Sequence, residues 1–215
     1  MYQQVYYHAT VRGAERLLRA IFERACDPTL PEEYKGNVVD GIPECLHSVL
    51  QGNKPSLEDF VNTNDATIIE ALKRWSSSAV DPVLRYLSKC LVERRLFKEV
   101  KFDSAKIEQV QDRARAAVRE AFARQAISEL GQLANPEESL DYFVLLDTCE
   151  FKAITGFDGV LFDTGKSLPK RFEEVQKQPE YDIMNSQRAF TRTRIFVASE
   201  LKGSVTDAVR ELEVT

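Results

Sequence analysis

Apolar residues recur at three- and four-residue spacing through most of the first 133 residues, and this spacing is typical of amphipathic helices. The earliest run covers residues 3–26 and ends at Asp27-Pro28, because proline cannot continue the helical hydrogen-bond ladder. A long run from Ser104 to Leu133 carries apolar residues on one face and charges of both signs on the other. This part of the chain is therefore predicted to be mainly helical.

Capping residues predict three shorter helices between these two. An N-cap side chain accepts a hydrogen bond from the first turn, an acidic residue three positions later strengthens the signal, and proline is favoured at the first helical position. The connection over residues 31–53 contains several prolines and glycines, so it is predicted to be turn-rich, with one short helix over Pro43–Leu50. The three caps are Ser56 with Asp59 three residues on, Asn64, and Asp81 followed by Pro82, whose helix is predicted to end near Arg94.

Strand-like patterns appear in the later part of the chain. Apolar and charged residues alternate over Leu96–Asp103, and after Pro136 the sequence becomes rich in apolar and β-branched runs. The pattern predicts an α+β fold, with a mainly α-helical first part followed by a small α+β unit with an antiparallel sheet. The later elements are predicted strands over Tyr142–Phe151, Gly159–Leu168 and Thr191–Ser199, and a last helix over Ser204–Leu212.

Charge and composition narrow the classes of protein. The 215 residues include 29 Lys plus Arg and 34 Asp plus Glu, which gives a formal net charge of −5. This balance argues against a chain-wide affinity for nucleic acid or anionic membranes. No apolar run approaches the roughly 18–20 residues of a membrane span, and the first residues lack the pattern of a secretory signal. A cytoplasmic protein with no membrane partner is predicted.

Cysteine and histidine are too few and too scattered to suggest a metal centre or an activated thiol. The cysteines form no C-x-x-C pair, and neither histidine stands in an H-E-x-x-H or His-Asp motif. The cysteines are predicted to be reduced, and no catalytic residue or metal ligand is assigned. The residues concerned are Cys26, Cys45, Cys90, Cys149, His8 and His47.

Two stretches, taken together, carry a resemblance to a known family. The first runs from Tyr6 to Leu18, and the second leads from Asn64 through Trp75 and Asp81-Pro82 to the R-x-L-F-K pattern at 94–98. Their order and spacing resemble the part of HD-domain phosphohydrolases that follows the catalytic core, and especially that of the deoxynucleoside triphosphate triphosphohydrolases. The division predicted from this resemblance is a helical region over 1–103 and a C-terminal region over 104–215.

The resemblance implies that the chain lacks the catalytic metal ligands of the family. In that family a His, an adjacent His-Asp pair and a final Asp hold a metal ion that activates water for phosphoester hydrolysis. All of these ligands would precede residue 1, and the chain contains no His-Asp dipeptide. The chain alone is therefore expected to have no cofactor and no hydrolase activity, and a divalent metal is expected only with an upstream HD segment.

Five residues are assigned to candidate sites from this resemblance, although Tyr7 stands where the family's vertebrate relative has a glutamine. The resemblance implies that Tyr6, Tyr7 and His8 face the substrate pocket, and that Arg94 and Lys98 bind phosphate or nucleotide at a subunit interface. Arginine presents a planar fork to phosphate and lysine a compact charge, so both suit that role. The resemblance also implies that Ala9 stands where the vertebrate relative has a lysine that contacts a regulatory nucleotide.

Structural explanations compete with each of these assignments. His8 could be a hydrogen-bonded histidine of the fold, and the tyrosines could pack at an interface. Arg94, Arg95 and Lys98 would equally compensate the dipole at a helix C-terminus. Two further clusters are interpreted structurally: the basic residues Arg188, Arg192 and Arg194 as a solvated strand face, and the acidic residues Asp147, Glu150, Asp158 and Asp163 as residues that cap and flank strands.

Three functional hypotheses follow. The first is the C-terminal part of an HD-type nucleotide phosphohydrolase that contributes a pocket wall and an oligomer interface. The second is a non-catalytic nucleotide-sensing or protein-interaction module, and the third is an unrelated helical scaffold. Under the first two, the predicted partners are a nucleotide and either a second copy of the chain or an HD-bearing subunit.

Overall fold

The computed structural model describes residues 8–103, 106–130, 136–151, 161–162, 170–171 and 190–213. These residues form a mainly helical structure with a small antiparallel sheet, which confirms the predicted α+β class. Short 3₁₀ turns lie at Glu44–Leu46, Ser128–Leu130, Leu140–Tyr142 and Ser199–Leu201. The helices are α1 (Ala9–Ala25), α2 (Glu32–Val39), α3 (His47–Leu50), α4 (Leu57–Asn62), α5 (Asp65–Ser78), α6 (Pro82–Val92), α7 (Ile107–Ala123), α8 (Pro136–Ser139) and α9 (Lys202–Glu213). The strands are β1 (Lys98–Val100), β2 (Val144–Phe151), β3 (Leu161–Phe162), β4 (Lys170–Arg171) and β5 (Phe190–Val197).

The chain forms two compact units. The first comprises Met1–Asp147 with Arg194–Thr215, and the second comprises Thr148–Thr193. In the described part of the second unit, β3 and β4 pair antiparallel, with Leu161 opposite Arg171. The boundary predicted at residue 103 comes from the resemblance to a family, whereas the two units are defined by their compactness. That boundary therefore stays a prediction.

The core of the first unit is built from α1, α5 and α6, whose apolar faces meet. Leu17 and Ile21 of α1, together with Leu87 of α6, are completely buried. Trp75 of α5 is 1% exposed, and its indole N–H donates to the carbonyl of Val38 at 2.9 Å. Burial of these apolar side chains is the main stabilising contribution in such a core.

A three-stranded sheet in the order β1-β5-β2 covers one side of this helical core. Strand β1 pairs antiparallel with β5, so that Lys98 lies opposite Val197 and Val100 opposite Ile195. Helix α1 approaches the sheet at Gly13, where a Cβ atom would meet the Phe196 ring at 3.2 Å. Glycine at this position therefore allows the close packing of helix and strand.

Most predicted elements are confirmed, although several differ in their bounds; the predicted strand Leu96–Asp103, for example, is Lys98–Val100. Helix α1 begins at Ala9, because His8 is extended (φ −63°, ψ 137°) and caps the helix. Helix α2 falls in the connection predicted to be turn-rich, while α7 ends at Ala123 rather than at Leu133. Within the predicted strand Gly159–Leu168, only Leu161–Phe162 belongs to the described residues.

The three predicted caps are present. Ser56 and Asp59 form a reciprocal capping box on α4, and Asn64 accepts hydrogen bonds from the Ala66 and Thr67 amides of α5. Asp81 accepts from two amides of α6 and precedes proline in its first turn. Among the helices of the described part of the chain, none is long and apolar enough to cross a bilayer.

Candidate functional site

Arg94 and Lys98 lie on the turn that joins α6 to β1. Arg94 has a left-handed backbone (φ 59°), and its amide donates to the carbonyl of Leu91 at 3.2 Å. Lys98 is the first residue of β1, and both side chains are exposed. Within the described residues neither side chain is engaged in an ion pair. The turn therefore presents two cations to solvent that can bind an anion.

The neighbouring Arg95 has a different role. Its guanidinium forms ion pairs with Glu93 at 3.0 Å, with Glu129 at 3.2 Å and with Glu200 at 3.2 Å. It also lies 5.7 Å from the centre of the Tyr86 ring, at cation–π distance. Arg95 thus connects α6 to residues far along the chain, and its charge is compensated by these carboxylates.

Two buried side chains beneath this network stay protonated at neutral pH. Burial raises the pKa of the Cys90 thiol to about 11, and it also raises the pKa of the Tyr86 hydroxyl. A thiol nucleophile needs the thiolate form. Burial therefore disfavours the reactive form of Cys90, and the prediction that the cysteines are reduced and not catalytic stays a prediction.

His8 is found at the start of α1, where its Nδ1 accepts a hydrogen bond from the Thr10 amide at 3.3 Å. This is the structural role weighed against a pocket role, although His8 is exposed and its imidazole remains accessible. Tyr6 and Tyr7 lie outside the described residues. Their assignment to a substrate pocket, with that of His8, stays a prediction.

The acidic residue Asp147 is held by an arginine rather than available for a metal ion. Its carboxylate is buried and accepts two hydrogen bonds from Arg12 of α1, the longer of them at 3.0 Å. The side chains of Glu150, Asp158 and Asp163 lie outside the described residues. In the part of the chain that the structure describes, no group of three or more His, Cys, Asp or Glu side chains is arranged to hold a metal ion.

The prediction of a solvated strand face at Arg192 and Arg194 is wrong for one of the two. Arg192 is exposed, but Arg194 is 2% exposed, and its guanidinium pairs with Glu99 of β1 at 3.2 Å. The two arginines share one face of β5, but only Arg194 adjoins the residues that pair with β1, and β1 supplies the carboxylate that makes its burial tolerable. Arg188 lies outside the described residues.

Sequence reasoning missed a second polar site beside α9. A cavity of about 500 Å³ is lined by residues of the β1 end and by Lys202, Thr206 and Arg210 of α9. Their spacing of four residues places them on one face of a helix, which is a signal that the sequence does contain. The partner wall, however, comes from residues about a hundred positions earlier in the chain.

Comparison with known proteins relates the fold to longer chains. No protein-family model matches the chain. The uncharacterized protein YwfO of Bacillus subtilis is 34% identical over 103 residues, which are 48% of this chain and 22% of that protein. A crystal structure of a phosphohydrolase from Bacteroides thetaiotaomicron superposes with a TM-score of 0.65 at 23% identity, over 92% of this chain and 47% of that one. The chain thus has the fold of about half of that phosphohydrolase, and it spans about a fifth of YwfO.

Proposed function

We propose that this chain is the C-terminal part of an HD-type, metal-dependent nucleotide phosphohydrolase that acts on deoxynucleoside triphosphates. The observation that carries the proposal is the superposition of 92% of this chain on 47% of a phosphohydrolase. The stretches that resemble the deoxynucleoside triphosphate triphosphohydrolases support it. In this proposal the chain contributes a wall of the substrate pocket, a phosphate-binding turn and an oligomer interface.

The α6–β1 turn is the proposed phosphate-binding element. Arg94 and Lys98 are exposed and, among the described residues, carry no competing ion pair. A charge-assisted hydrogen bond to phosphate contributes about 1.5–3 kcal/mol, which corresponds to roughly tenfold or more in affinity for each residue. Arg95 next to them is engaged with three carboxylates, which leaves phosphate binding to Arg94 and Lys98.

The described residues do not fit a catalytic metal ion. The Asp147 carboxylate is occupied by Arg12, and the His8 Nδ1 is occupied by a backbone amide. In the proposal the metal ligands therefore belong to an HD segment outside this chain, and no catalytic step is assigned to the residues described.

Nucleotide binding is tested by thermal shift and by titration calorimetry with dGTP on the isolated chain. We expect binding without turnover in the presence of Mn²⁺ or Mg²⁺, and an affinity loss of about a hundredfold in R94A/K98A, since two charge-assisted contacts disappear. The matched control is K73A/R85A, which removes an exposed lysine and an exposed arginine of α5 and α6. Binding that is equal in both double variants would contradict the role of the turn.

Hydrolysis is tested by co-expressing the chain with a separate HD-bearing subunit. Metal-dependent release of triphosphate by the complex, and not by either part alone, is the expected outcome. Turnover by the isolated chain would show that it holds a metal site of its own. A complex that forms and binds nucleotide but stays inactive would favour the alternative of a nucleotide-sensing or interaction module.

One structural observation favours that alternative. Helix α4 exposes three apolar side chains on one face: Leu57 is 80% exposed, Phe60 69% and Val61 70%. Apolar clusters of this kind are typical of protein-interaction surfaces. In that alternative the surface would serve association with a second copy of the chain or with an HD-bearing subunit.

A further inference from the structure

A polar cavity lies between the end of β1 and helix α9. Its volume is about 500 Å³, which is in the range of small-molecule sites. Neither Arg94 nor Lys98 is among its lining residues, so the cavity is separate from the proposed phosphate-binding turn. Nothing in the function proposed above requires it.

One wall of the cavity is a polar stripe on α9. Lys202, Thr206 and Arg210 follow one another at intervals of four residues, so they lie on the same face of the helix. The opposite wall is formed by residues that follow β1, among them Lys101 and Phe102. Cations thus converge on the cavity from both sides, and an aromatic ring contributes an apolar surface.

The charges around the cavity favour an anion. Three cations, Lys101, Lys202 and Arg210, face two carboxylates, those of Glu99 and Asp103. Glu99 is already paired with the buried Arg194 at 3.2 Å, whereas Arg210 reaches Asp207 only at 3.8 Å, in a pair that is largely exposed. The charge left to interact with a ligand is therefore positive.

Thr206 provides a second, independent observation. Its Oγ1 is buried, and among the described residues it has no hydrogen-bond partner. Buried hydroxyl groups are nearly always paired, because loss of hydration without a replacement bond is unfavourable. Because Thr206 lines the cavity, a change of its side-chain rotamer would turn this hydroxyl toward the cavity, where a ligand oxygen would satisfy it.

We propose that this cavity binds a small molecule that bears a phosphate group. The ammonium groups of Lys101 and Lys202 and the guanidinium of Arg210 would contact the phosphate oxygens, and the Thr206 hydroxyl would donate to one of them. The Phe102 ring would contact the remainder of the molecule. This is a site in addition to the α6–β1 turn.

Inorganic pyrophosphate is the probe, and its binding to the whole chain is measured by isothermal titration calorimetry. We expect saturable binding that is weakened about tenfold or more in K202A/R210A and about fivefold in T206V, which keeps the shape of the side chain and removes its hydroxyl. The affected lysine and arginine are exposed, so the variants are expected to fold, and circular dichroism checks this.

One control variant separates this site from other cationic surfaces. All variants are compared in an R94A/K98A background, so that the proposed phosphate-binding turn cannot bind the probe. In that background K73A/R85A, which removes the same charge elsewhere, is expected to bind pyrophosphate with an affinity within about twofold of that of R94A/K98A itself. No saturable binding by R94A/K98A would overturn the proposal. It would equally be overturned if K202A/R210A bound as tightly as K73A/R85A.

Discussion

Arg94 adopts a backbone conformation that glycine would adopt at lower cost. Its φ of 59° is in the left-handed region, where an L-residue is disfavoured by about 1–2 kcal/mol. Helices commonly end with glycine at such a position. The Arg94 side chain is exposed and, within the described residues, forms no ion pair, so its removal should release this cost without the loss of a contact within the fold.

The substitution R94G is expected to stabilise the fold while it weakens nucleotide binding. Glycine relieves the left-handed strain but adds about 0.5–1 kcal/mol of unfolded-state entropy, so the net gain in unfolding free energy is about 0.5–1 kcal/mol. Urea unfolding measures this gain. Gln125, with φ 54°, is the matched control: Q125G is expected to give the same gain without a change in nucleotide affinity. A destabilised R94G would show that the arginine side chain supports the fold.

Arg194 shows where inference from single residues fails. Arg192 and Arg194 are two positions apart on β5 and share one face, so the alternating pattern predicts the same environment for both. The difference between them depends on the pairing of β5 with β1, which covers 195–197 and places Glu99 beside Arg194. The carboxylate is 95 positions away, so no local pattern reveals it.

Helix starts were predictable because the caps that determine them are local. Ser56, Asn64 and Asp81 each bond to amides two or three residues later. Helix α2 was missed because Pro31 and Gly36 are turn signals, yet Pro31 is the N-cap and Gly36 lies within the helix. Only Val38 of α2 is buried, so an apolar periodicity that could outweigh these signals is missing.

Two equivalent caps are expected to affect stability differently. Asn64 caps α5, which buries Trp75, Leu72 and Ala71 in the core, so N64A is expected to lower the global unfolding free energy by about 1 kcal/mol. Ser56 caps α4, which buries no residue, so S56A is expected to change that free energy by less than about 0.5 kcal/mol.

Urea unfolding compares the two variants, and hydrogen exchange resolves the local effect. The α4 amides are expected to exchange faster in S56A, because the helix frays without global unfolding. An equal loss of global stability in S56A and N64A would mean that α4 unfolds together with the core.

At the scale of the whole molecule, one buried network joins three segments that are distant in sequence. Arg24 near the end of α1 donates two hydrogen bonds to Asp81, the N-cap of α6, at 2.8 and 3.1 Å. Its guanidinium also lies 5.2 Å from the centre of the Tyr142 ring, in the 3₁₀ turn before β2. The Tyr142 hydroxyl in turn donates to Asp27 at 3.1 Å.

The bonded residues of this network are 57 and 115 positions apart in the sequence, so local sequence patterns do not predict that they pair. The amphipathic pattern predicts that α1 and α6 have buried faces, but it does not predict that an arginine lies on the buried face of α1. The Asp81 side chain both caps α6 and pairs with Arg24, and the sequence indicated only the first of these roles. Hydrogen bonds and ion pairs between distant segments were therefore the part of the fold that the sequence did not predict.

Because Asp27 can be protonated, the contribution of this network to the free energy of unfolding depends on pH. Burial disfavours the charged carboxylate, but hydrogen bonds from Thr29 and Tyr142 and the positive charge of Arg24 outweigh that effect and lower the pKa of Asp27. A carboxylate with a lowered pKa stabilises the folded state above its unfolded value of about 3.9. That contribution is lost as the pH falls through the folded-state pKa.

The substitution D27N is therefore expected to destabilise the protein by about 1–2 kcal/mol at pH 7, since asparagine lacks the charge and has one acceptor oxygen where both Asp27 oxygens accept hydrogen bonds, from Thr29 and from Tyr142. The difference from the parent chain should shrink as the pH falls below about 4, where Asp27 of the parent becomes protonated as well. Urea unfolding between pH 7 and pH 3 measures it. D112N, which removes an exposed carboxylate of α7, is the control and is expected to shift stability by less than about 0.5 kcal/mol. A difference between D27N and the parent that stays constant with pH would mean that shape, and not ionisation, is what the network requires of Asp27.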